Sequence, residues 1–226
     1  IVTIALGAFG VLGARRLMPL ISFSVIGSMG TLLVAVAVFS PVATTAALYY
    51  MIHSTFAAAC LFLIADLVVS RRNSDSLTPS AATVQNGLFA AIFFASVIAM
   101  AGMPPLSGFL GKLLVLDALR GPDVIVWAWT AILAGSLLTI VGFARAGSAL
   151  FWKSTAIDAP VSEAGHTTAP AHATPAEVTP VMLALAALVG LSIFAGPVAS
   201  YLEQTSAQLF DRSGYISAVL APVEER

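Results

Sequence analysis

Lys112 stands in the run Met103-Pro-Pro-Leu-Ser-Gly-Phe-Leu-Gly-Lys-Leu-Leu-Val-Leu116, an ammonium among apolar residues just after two prolines. Lipid offers such a charge no hydration, so ionisable residues at bilayer depth mark an ion path, a proton relay or a pairing partner. Removing water from an ammonium favours its neutral form, which lets a buried lysine give up and take back a proton. The competing reading is a lysine that only anchors its helix. His53, in Leu48-Tyr-Tyr-Met-Ile-His-Ser-Thr-Phe56, is the second candidate. Imidazole both donates and accepts and titrates near neutrality, so it can relay a proton between waters. A lone membrane histidine is otherwise a hydrogen-bonded packing residue, and the neighbouring Ser54 and Thr55 read as helix-packing hydroxyls.

Three further charges are candidates for supporting roles. Asp66 lies a little more than one helical turn before Arg71 and is expected in an interfacial ion pair or at a cytoplasmic mouth. Arg145, in Thr139-Ile-Val-Gly-Phe-Ala-Arg145, needs either a counter-ion or a route by which its head can snorkel to water. Asp117 follows Lys112 by five residues, off the helical spacing of three or four, and is expected at the outer interface rather than paired with it.

These residues have to be positioned by membrane helices. Hydrophobic residues make up 59% of the chain and charged ones 9%, and the mean hydropathy is +0.97, far from a soluble domain with about a quarter of its residues charged. The expected fold is all-α, a polytopic transmembrane bundle of about six helices. About 20 mainly apolar residues are needed per crossing, which gives spans near 1–14 (partial), 17–39, 42–69, 84–119, 124–150 and 178–201. The stretch 84–119 is too long for one straight helix, and Gly102, Pro104, Pro105 and Gly108 divide it. Each proline removes a backbone donor and disfavours helix before it. Residues 1–201 therefore read as the transmembrane domain, with a Pro-, Thr- and Ala-rich polar loop at 153–177, and 202–226 as an interfacial amphipathic tail.

Charge asymmetry decides how 84–119 runs. As one broken crossing it puts Arg15, Arg16, Arg71, Arg72 and Lys153 on one face, with Arg120 beside Asp123 on the other. A hairpin would scatter them. The broken crossing follows, with the basic face cytoplasmic. Broken helices at membrane depth occur where protein or a wet cavity satisfies the freed backbone, as at the midplane sites of transporters.

Other chemistries find no support. The net charge of −1 with ten scattered Lys and Arg gives no basic patch for nucleic acid. Cys60 is the single cysteine and reads as a small packing residue. His166 and His172 sit in the polar loop with no ligand set around them, and no phosphate-cradling, nucleophile-elbow or zinc-helix motif occurs. Neither an enzyme nor a cofactor is expected.

The motifs Ile26-Gly-Ser-Met-Gly30, Tyr50-Met-Ile-His-Ser-Thr-Phe56 with Leu61-Phe-Leu-Ile-Ala-Asp-Leu67, and Gly102-Met-Pro-Pro-Leu-Ser-Gly-Phe-Leu-Gly-Lys112 resemble the antiporter-like membrane subunits shared by Mrp-type cation/proton antiporters and respiratory complex I. The likeness is greatest to the Mrp (Pha, Mnh) branch of that family, supported by Tyr215-Ile-Ser-Ala-Val-Leu220. The resemblance implies a fourteen-helix subunit of which this chain, opening on Ile1 within an apolar stretch, holds the last six helices. It implies that Lys112 matches the lysine of the broken twelfth helix and His53 the eleventh-helix histidine, with the family's essential glutamate and lysines on earlier helices. It also implies partners: other membrane subunits of a hetero-oligomeric antiporter complex, the lipid bilayer, protons, and Na+ or K+. The expected setting is a bacterial inner membrane, crossed several times. A proton-pumping subunit of a quinone-reducing complex is the alternative, and a scaffold that only holds neighbouring subunits is a third reading.

Overall fold

The computed structural model describes residues 1–121, 125–157 and 172–220. Among them the chain is helical: α1 (Val2–Gly13), α2 (Leu17–Ala37), α3 (Pro41–Arg72), α4 (Asn86–Ala101), α5 (Ser107–Ala118), α6 (Ile125–Gly147), α7 (Pro175–Ile193), α8 (Ala195–Phe210) and α9 (Ser213–Leu220). Four segments are long and apolar enough to cross a membrane: Leu17–Ala37, Pro41–Arg72, Val126–Ala156 and Pro175–Ile193. Leu33, Val36, Leu133, Leu137 and Val141 lie exposed on their outer faces, as helices in an apolar solvent require.

α3 is the central post. Ser40 accepts the Ala43 N–H at its start, Pro41 supplies a preset first turn, and Asn73 ends it in the left-handed region at φ 49°. At 32 residues it is about 48 Å long, so both ends pass beyond a hydrocarbon core of about 30 Å.

α4 and α5 contain 16 and 12 residues, about 24 and about 18 Å, and neither alone reaches across. Their order along α3 is plain. Phe89, early in α4, lies under the Arg71 guanidinium at 5.4 Å. Ser107, at the start of α5, meets His53 midway along α3. Leu114 and Asp117 share a groove with Pro41, Val42 and Thr45 at the start of α3. The two short helices therefore run in one sense, antiparallel to α3, as a single crossing with a break.

One end of the bundle collects the basic residues. Arg16 pairs with Asp75 at 2.8 Å, Arg71 with Glu177 at 2.9 Å, and Arg72 donates to the Thr78 and Leu150 carbonyls at 2.7 and 3.2 Å. Lys153 begins a 3-10 turn (Lys153–Ala156) after a π-helical turn (Ser148–Trp152) that continues α6. Arg120 stands at the opposite end, paired with Asp117 at 2.8 Å. Asp123 and most of the loop expected at 153–177 lie outside the described residues.

The stretch read from sequence as one span over 178–201 is divided: α7 stops at Ile193 and α8 begins at Ala195. Gly196-Pro197 explains it, since a proline without an N–H fits the first turn of a new helix better than the middle of an old one. α8 then lies against the start of α3, where Ser206 donates to the Pro41 carbonyl at 2.7 Å and Phe210 packs on Phe39 at 5.4 Å between ring centres. The helix that includes residue 202 thus begins at Ala195.

Candidate functional site: a lysine on the broken crossing

The two prolines create the site by what they lack. In an uninterrupted helix the carbonyls of Met100 and Ala101 would accept from the N–H groups four residues on, which are Pro104 and Pro105. α4 instead closes on Gly102 at φ 75°, a region that side chains avoid. The Gly102 N–H reaches the Ala99 carbonyl and the Met103 N–H reaches the Ile98 carbonyl, both at 3.0 Å, the paired closure of a Schellman end. Lys112 takes up what is left over: its Nζ donates to the Ala101 carbonyl at 2.7 Å and to Ser136 Oγ of α6 at 2.8 Å. Ser136 in turn donates to the Ile132 carbonyl at 2.7 Å. The negative end of the α4 dipole favours the ammonium there.

His53 sits on the other side of the same break. It is 1% exposed, its Nδ1 lies 2.9 Å from Ser107 Oγ, and the ring faces the Ala99 carbonyl. This close approach fixes Gly108, because a Cβ there would collide with both the Ala99 carbonyl and the His53 ring. Of the break residues expected from sequence, Gly102 and Gly108 thus shape the turn, and Pro104 and Pro105 free the carbonyls.

A cavity of about 20 Å³ lies against Lys112, with Tyr50, Ser28, Thr31, Ser136 and Thr139 on its walls. That is room for about one water, with several polar groups to hold it. Behind it runs a buried hydroxyl chain: Ser28 Oγ donates to Tyr50 Oη at 3.0 Å and lies 2.6 Å from Ser54 Oγ. The Tyr50 ring in turn packs on His53, with ring centres 5.9 Å apart.

The structure thus brings Lys112, His53 and Ser54 to one polar interior, and it places the other candidates elsewhere. Asp66 is exposed on α3. Its expected partner Arg71 reaches Glu177 instead, because a separation of five residues turns the two side chains of one helix apart. Arg145 finds no carboxylate among the described residues; it donates to the Ala14 carbonyl at 2.7 Å and more weakly to Val11 at 3.4 Å, closing the end of α1. Cys60 is buried and free. His172 is exposed, His166 lies outside the described residues, and no group of metal-ligating side chains occurs among the described ones. Tyr50, Ser28 and Ser136 were not singled out from sequence. Tyr50 had a readable signal, three residues before His53 and so on the same helix face; Ser136 had none.

The family described as NADH:quinone oxidoreductase/Mrp antiporter, transmembrane, matches residues 1–141. The D subunit of the Na(+)/H(+) antiporter of Bacillus subtilis (strain 168) is 29% identical over 221 residues, spanning 96% of this chain and 43% of the relative. The D subunit of a probable K(+)/H(+) antiporter of Rhizobium meliloti (strain 1021) is 28% identical, over 92% of this chain and 42% of its own length. The chain therefore spans less than half the length of these relatives. Among solved structures, a chain of the Mrp complex from Dietzia sp. DQ12-45-1b superposes with a TM-score of 0.79 at 22% identity, over 97% of this chain and 47% of that one, which establishes the fold.

Proposed function

The chain belongs to the NADH:quinone oxidoreductase/Mrp antiporter membrane-subunit family, and we propose that it serves a multisubunit monovalent cation/proton antiporter by carrying protons across part of the bilayer. The reading rests chiefly on one observation: Lys112, at a break inside a membrane crossing, is held by a carbonyl and a hydroxyl, with no carboxylate bonded to it among the described residues. Neutral acceptors let the nitrogen change charge without stranding a buried anion. Water reaching the cavity exchanges protons with Lys112, and His53, bonded to Ser107 across the break, serves as the next proton carrier. Low dielectric lengthens the reach of the Lys112 charge, so its protonation biases charged groups on neighbouring helices and subunits. The basic end faces the cytoplasm of a bacterial cell, following the positive-inside rule, and the partners are other membrane subunits. Na+ or K+ is the exchanged cation.

Antiport measured in everted vesicles with the intact complex tests this. Lys112→Ala abolishes exchange while the complex still assembles. Unimpaired exchange in the assembled variant refutes the role, and loss of assembly in step with every loss of transport would leave only a scaffold. Flavin and iron–sulfur subunits in the purified complex would move the protein to the respiratory branch of the family.

A further inference from the structure

Both groups that Lys112 and His53 meet on α4 are carbonyls, of Ala101 and Ala99 respectively. A carbonyl accepts a hydrogen bond but has no proton to pass on. The helix break therefore orients the lysine without providing a way off it. An ammonium has three N–H donors, and two of them are committed to Ala101 and Ser136. The third is left for the cavity that Lys112 lines.

Tyr50, 1% exposed, lines the same cavity. Its oxygen already accepts from Ser28 of α2, and Ser28 is itself held by Ser54, so the phenol is tied to the neighbouring helix. With Ser28 donating to it, the Tyr50 hydroxyl keeps its own proton to point elsewhere. Thr31 of α2 is the other hydroxyl beside the phenol, and it lines the same cavity. The phenol faces a space of about 20 Å³, enough for about one water and too small for a hydrated cation. Of the described side chains lining that space from α1, α2, α3, α4, α5 and α6, only Tyr50 and Lys112 are titratable, and His53 packs on the Tyr50 ring.

We propose that Tyr50 is a positioning residue for proton transfer at Lys112: its hydroxyl, pinned by Ser28, which Ser54 holds in turn, keeps one water against the uncommitted N–H of the lysine. That water is the immediate proton acceptor and donor for Lys112. This inference deepens the transport role given above and rests on it.

The test uses the intact complex in everted vesicles. Tyr50→Phe keeps the ring against His53 and removes only the oxygen. It lowers the maximal exchange rate by about tenfold, leaves the half-saturating cation concentration unchanged, and raises the solvent deuterium isotope effect, because proton transfer becomes rate-limiting. Ser28→Ala, which frees the phenol without altering its ring packing, gives a smaller change in the same two quantities and carries the test if Tyr50→Phe fails to assemble. A native maximal rate and isotope effect in the assembled Tyr50→Phe or Ser28→Ala complex overturns the proposal, as does a fall in apparent cation affinity with no change in isotope effect. Lys112→Ala run alongside separates the two ideas: if it abolishes exchange while Tyr50→Phe has no effect, only the positioning role is lost.

Discussion

Two regions of the molecule hold cations in place, and they do it by opposite means. At the basic end, Arg16 and Arg71 are bonded to carboxylates at 2.8 and 2.9 Å. At the break, Lys112 meets a backbone carbonyl, a serine and a cavity. Arginine does not release its proton under biological conditions, whereas lysine does so readily once desolvated. The first arrangement fixes charge and the second permits it to change. Residue type and partner type agree in each region, and the proton chemistry proposed above belongs at the break rather than at the basic end.

Substitutions can break or sharpen this contrast. The largest effect is expected from Lys112→Arg, which keeps a positive charge at the break and removes its ability to deprotonate. It should abolish exchange in assembled complexes as fully as Lys112→Ala, and near-native exchange would show that the charge alone is what matters. Next comes His53→Ala, which removes the proposed second proton carrier. About tenfold or more slower exchange is expected at unchanged expression, within the range for losing a positioned acid–base group, measured by the same vesicle assay. Gly108→Ala should act on the scaffold rather than the chemistry. Forcing a methyl between the Ala99 carbonyl and His53 costs about 1–3 kcal/mol of stability, read as a lowered melting temperature of the purified complex. The smallest effect belongs to the fixed-charge region: Glu177→Gln should leave exchange at its native rate, since Glu177 caps the start of α7 and braces it against α3 through Arg71. A transport defect there would erase the distinction between the two regions.

Much of this was legible in the residues themselves. Pro104 and Pro105 announced the break, Lys112 announced the site, and the distribution of Arg15, Arg16, Arg71, Arg72, Lys153 and Arg120 was enough to choose a broken crossing over a hairpin. What could not be read were partners made by packing. Ala101 contributes a carbonyl, which no side-chain pattern advertises. Ser136 lies 24 residues from Lys112 and Glu177 lies 106 from Arg71, so neither pairing leaves a local spacing to detect. Asp66 shows the converse, a charge near Arg71 in sequence whose side chain points away from it in the helix. Gly196-Pro197 marks the division at Phe194, inside an apolar run long enough to read as one span.

Lys112 is rooted in α5 yet grips α4 through Ala101 and α6 through Ser136. One nitrogen thereby laces three rods together, and the tightness of the lacing varies with the number of hydrogens it carries. A neutral amine grips a carbonyl less firmly than an ammonium does. If Lys112 exchanges protons as proposed, its occupancy is also a mechanical quantity, felt in the hold between neighbouring helices.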